Sequence, residues 1–231
     1  MERHFQKELD SLNARIIEMG SKAEEMIRLA MLSLVERKPE LAEAVDALEH
    51  EVNLMHIEID DRSLGLLATQ QPMAMDLRFL VTGMKINSEL ERIGDQAVNI
   101  SQHSQTIIQY PVLKPLIDLP VMAEVAKKML RESLDSFVKR DPIEAEAVIM
   151  QDDRVDGLKN QIFRELLTYM MSEPPTIPTA MQLVLVSRNL ERIGDQAVNI
   201  AEDVIYMALG RDVRHPREAK AEPSGDPGGA P

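Results

Sequence analysis

Glu91-Arg92-Ile93-Gly94-Asp95-Gln96-Ala97-Val98-Asn99-Ile100 returns letter for letter as Glu191 to Ile200, 100 residues later in a chain of 231. An identity of that length at one interval makes the chain two copies of a single unit. Through the first copy, apolar or small residues recur in alternating steps of four and three: Phe79, Gly83, Ile86, Leu90, Ile93, Ala97, Ile100, Ser104 and Ile107. Leu183, Val186, Leu190, Ile193, Ala197, Ile200, Val204 and Met207 carry the same rhythm through the second. It is the buried seam of an α-helix in a bundle.

Working outward, Phe5, Leu9, Leu12, Ile16, Met19, Ala23, Met26 and Ala30 predict a first helix running to about Arg37. A second is expected over Pro39 to Thr69, with Leu41, Val45, Leu48, Val52, Met55 and Ile59 as its seam and Pro39 in its first turn. Ser33 to Pro39 then aligns with Ser136 to Pro142 at an offset of 103, with Asp141 as N-cap, and the offset has fallen to 100 by the second decapeptide. Prolines at 111, 115 and 120 mark the join between units. The expectation is an all-α protein of six long antiparallel helices in two tandem, pseudo-symmetric three-helix bundles. Residues 1–112 and 113–210 are the repeats, and 211–231, rich in Pro, Gly, Ala and charge, form a disordered tail.

Composition narrows the function. A net charge of −13 and only seven aromatics argue against direct nucleic-acid binding, which needs basic groups for phosphates and rings for bases. With no cysteine, disulfides and thiolate metal sites are both excluded. The start, Met1-Glu2-Arg3-His4, is charged where a secretory signal would be apolar, and no apolar run reaches a membrane span. A cytoplasmic protein is expected.

The decapeptide carries the chemistry. Residues four apart share one side of a helix, so Glu91, Asp95 and Asn99 form a ladder continued by His103, and Glu191, Asp195, Asn199 and Asp203 form its repeat. The ladder is expected to face outward, away from the seam. Such a face is what any solvated bundle helix shows. Yet two carboxylates a turn apart repel, and no lysine one turn away on the same helix relieves them. Paired carboxylates suit hard or borderline cations. On the second helix of each unit, Glu49 with Asn53 and Asp152 with Asp156 repeat the spacing and would converge with the ladders if the helices are antiparallel neighbours. Gly94 and Gly194 read as close approach of a neighbouring helix, or as space beside the carboxylates. Arg92 and Arg192 read as partners of nearby acids. His50 and His56 read as solvated rather than ligating, and Met170-Met171 as a candidate partner surface.

The doubled Glu-Arg-Ile-Gly-Asp, Gln71-Pro72 followed by Asp76-Leu77-Arg78, the segment Asp152 to Asp156 and Arg211 to His215 together resemble the PhoU family of bacterial phosphate-signalling regulators. The resemblance spans about residues 5 to 215. It implies a cytoplasmic, often dimeric adaptor that acts at the inner face of the membrane through its partners. There it restrains phosphate uptake and the phosphate-starvation response, linking the ATPase subunit of the phosphate ABC transporter to a sensor histidine kinase. It also implies multinuclear iron or zinc, or another divalent cation, held by Glu91 with Asp95 and Glu191 with Asp195. Asp152 with Asp156 supports the second site and Glu49 with Asn53 the first, which has one charge fewer. The alternative is a carboxylate-bridged di-metal oxidoreductase. Its Glu-x-x-His signature is absent, because no histidine here has Glu three residues before it. A purely structural bundle, with the acids as solvated surface, is the third reading.

Overall fold

The computed structural model describes residues 2–211 and 213. The expected disordered tail falls almost wholly outside them. Seven α-helices occupy the six expected places: α1 Glu2–Glu36, α2 Glu40–Gln70, α3 Ala74–Ile108, α4 Asp118–Lys139, α5 Pro142–Ile149, α6 Asp152–Ser172 and α7 Ile177–Leu209. Among the described residues there is no strand. All nine seam residues of α3 and all eight of α7 are buried.

The extra helix comes from a break at Met150-Gln151. The backbone N–H of Gln151 bonds to Val148 and that of Arg154 to Gln151, both spanning three residues, so one tight turn interrupts an otherwise continuous arm. The offset from α2 stays at 103 on both sides of it, as Val45 and Val52 match Val148 and Val155. Asp141 caps α5 by accepting from the backbone N–H groups of Ile143 and Glu144.

α1 and α4 end alike. Lys38 N–H bonds to Ser33 and Asp141 N–H to Ser136, and Arg37 and Arg140 take left-handed φ values of 57° and 54° where glycine is usual. Each arginine has work that glycine could not do. Arg37 donates to the carbonyls of Ile108 and Tyr110 at the end of α3, and Arg140 lies over the ring of Phe79 at 5.1 Å.

Within each unit the three arms pack on one another, and the units join through α3 against α7 and α1 against α4. Lys85 reaches Asp203, Glu89 meets Asn199 and His103 meets Gln182, so numbers rise along α3 as they fall along α7. The two decapeptides therefore lie side by side in opposite directions. One apolar cluster runs through both units, with Phe79 stacked on Phe137 at 5.2 Å across the join.

Candidate functional site: two acidic clusters

Each cluster is built by two antiparallel arms of one unit. In the first, α2 supplies Glu49 and Asn53 and α3 supplies Glu91 and Asp95. Burial, then the neighbouring charge of Asp95, pushes the Glu91 carboxyl above its usual range, and Glu49 adds to the rise across the helix boundary. In the second, α6 supplies Asp152 and Asp156 and α7 supplies Glu191 and Asp195. Burial raises Asp152, helped by Asp156 and then by Asp153 and Glu191. It also raises Asp195, helped by Glu191, Asp152 and Asp156. The paired ladders thus converge in both units, and Asp95 and Asp195 remain at the surface.

Further along, the ladders do not stay outside. A step of four residues advances about 40° beyond a full turn, so three steps carry the row about 120° around the helix. Asp203 is accordingly 4% exposed and accepts from Lys85 Nζ at 2.9 Å. His103, its counterpart, sits half-buried with Nδ1 2.7 Å from Gln182. The expected outward ladder is therefore two turns long in each copy, and its far end helps to join the units.

Sequence reasoning missed Lys159. Its ammonium donates to Asp156 Oδ1 and Glu191 Oε1, both at 2.8 Å, and so bridges α6 and α7. The relief that no lysine provides along α7 comes from across the groove. Two signals were present: Lys159 stands three residues after Asp156, and the offset of 103 pairs it with His56. His56 is half-buried, lies near enough to Glu91 to favour its charged form, and has Nε2 3.7 Å from Asp60. Among the described residues, no three His, Asp or Glu side chains are placed as a ready ligand set for an ion. Arg92 pairs with Glu89 at 2.9 Å, as expected of a neighbour to acids. A Cβ on Gly94 would point at Met26 and Val52, and one on Gly194 at Val155, so the glycines open toward neighbouring helices and not toward the carboxylates.

The PhoU domain family model matches residues 16–103 and 119–204, one copy in each unit. The chain belongs to the PhoU family. It is 39% identical over 209 residues to a phosphate-specific transport system accessory protein PhoU homolog of Aquifex aeolicus, covering 90% of this chain and 95% of that one. The corresponding homolog of Zymomonas mobilis is 37% identical, with 90% and 88% covered. The crystal structure of PhoU from Pseudomonas aeruginosa superposes with a TM-score of 0.86 at 33% identity, covering 90% of this chain and all of the other. That of the phosphate transport system regulatory protein PhoU from Streptococcus pneumoniae gives 0.83 at 27%, with 90% and 99% covered. Three of these four relatives are named as accessory or regulatory proteins and the family is non-enzymatic, which sets aside the oxidoreductase alternative. No helix of the described residues is long and apolar enough to cross a membrane.

Proposed function

We propose that this protein is a negative regulator of phosphate uptake and of the phosphate-starvation response. It acts in the cytoplasm, at the inner face of the membrane through its partners, as an adaptor between the ATPase subunit of the phosphate ABC transporter and a sensor histidine kinase. The observation that carries the reading is family membership across nine-tenths of the chain, together with both decapeptides displaying Asp95 and Asp195 at the surface. Long helical arms offer broad faces to partner proteins, and two copies of the chain are expected to associate as a homodimer.

The donor types of both acidic clusters suit iron, zinc or another divalent cation. In the first, the charges of Asp95 and Glu49 both act on Glu91, and Asn53 stands one turn from Glu49 on α2. Their mutual repulsion is what a bound cation relieves, and oxygen donors fit that chemistry. The bound ion would neutralise the patch and fix α2 against α3. In the second, Lys159 already neutralises part of the charge of Asp152, Asp156, Glu191 and Asp195. With the lysine counted, its net charge equals that of the three carboxylates of the first.

Co-purification tests the adaptor role. From phosphate-replete cells, the tagged protein is expected to bring down both the transporter ATPase and the kinase. Recovery of neither, from a protein with an intact helical spectrum, would remove the reading.

A further inference from the structure

We infer that Lys159 is the resident cation of the second cluster: its ammonium fills the place between α6 and α7 that a divalent ion would take, and keeps ions out of that cluster. The inference rests on the reading of the clusters as cation sites and is independent of the regulatory role.

Two carboxylates from different helices, Asp156 and Glu191, converge on one Nζ at 2.8 Å each, which is the bridging task of a cation at a helix pair. The side chains of Lys159 and Glu191 are 27% and 23% exposed and that of Asp156 is 50%, so the Glu191 contact is the less screened of the two. Asp152 and Asp195, the remaining two acids, both have Lys159 as the charge that opposes their repulsion. An ion entering from solution competes with an ammonium tethered to the site, whose effective concentration is in the millimolar range or above.

Among the described residues, no lysine or arginine pairs with Glu49, Glu91 or Asp95. At the equivalent position stands His56, shorter than lysine and turned toward Asp60, with a buried Nδ1 that has no hydrogen-bond partner. The duplicated motifs are identical, and the difference between the two sites lies on the facing helix.

Mn²⁺ titration of the full-length protein, with free ion read by electron paramagnetic resonance, tests this. Wild type is expected to bind Mn²⁺ in a manner lost in Glu91→Gln/Asp95→Asn and unchanged in Glu191→Gln/Asp195→Asn. Lys159→Met should add a class of sites at least about tenfold tighter than the wild-type second cluster offers. Those sites should vanish when Glu191→Gln/Asp195→Asn is combined with it. Lys159→Gln serves as a second variant should the methionine form lose helical content by circular dichroism, and Lys159→Arg should titrate as wild type. Wild-type binding that disappears in Glu191→Gln/Asp195→Asn would overturn the inference, as would Lys159→Met and Lys159→Gln titrating like wild type. The first result would move the binding site to the second cluster, and the second would leave the first cluster as a cation site. Added sites in Lys159→Met without any wild-type binding would uphold the inference and discard the first-cluster reading. No Mn²⁺ bound by any variant would discard both.

Discussion

Glu91, Asp152 and Asp195 share one electrostatic condition: burial and an acidic neighbour hold each proton more tightly in the folded protein than in the unfolded chain. For an acid raised in this way, the folded state binds more protons just above the ordinary carboxylate range. Its contribution to stability is thus fully present below the unfolded pKa and is lost as pH rises through the folded one. In chelator-treated protein, Glu91→Gln and Asp195→Asn should each raise Tm at about pH 7 by about 1–3 °C. That gain should fade toward zero below about pH 3, where the acids are protonated in both states. Calorimetry across this range checks it, and a gain that persists undiminished in acid would refute the electrostatic origin. Divalent ion should erase the benefit of Glu91→Gln by stabilising wild type alone.

Seam residues made the helices legible in advance, because burial on one face leaves a period that side chains cannot hide. The single break at Met150-Gln151 was not legible. It changes no residue count, and the seam resumes in phase after one tight turn. The convergence of α2 with α3 and of α6 with α7 was readable from matched i, i+4 spacing. The inward turn of Asp203 and His103 was not, because the row was followed as though it were straight. Lys159 escaped for a different reason: its bridge to Glu191 crosses between helices, where spacing along one helix carries no information. Glycine at the centre of each decapeptide can be tested at this scale. A Cβ at Gly94 would meet Met26 Cε at 3.5 Å and Val52 Cγ1 at 3.6 Å, both ordinary contacts. Gly94→Ala should therefore gain up to about 1 kcal/mol of helix propensity and raise Tm by about 2–4 °C. A fall in Tm would show that α1 and α2 sit closer to α3 than these distances allow.

Across the whole molecule, duplication produces two similar bundles whose third helices lie antiparallel and whose cores merge into one. Most polar links across the join come from parts of the repeat that have diverged, Asn199 of the second motif being the exception through its contact with Glu89. Lys85 reaches Asp203, and His103 reaches Gln182, while Asp95 and Asp195 of the identical motifs stay at the surface. The faces that carry Asp95 and Asp195, left uncovered by the fold, are available to other proteins, which is the physical basis of the adaptor reading. The most direct test is a phosphate-starvation reporter in cells lacking their own family member, grown with ample phosphate. The account predicts that this chain silences the reporter and that a folded Asp95→Ala/Asp195→Ala variant does not. Equal silencing by both, or none by either, would contradict it.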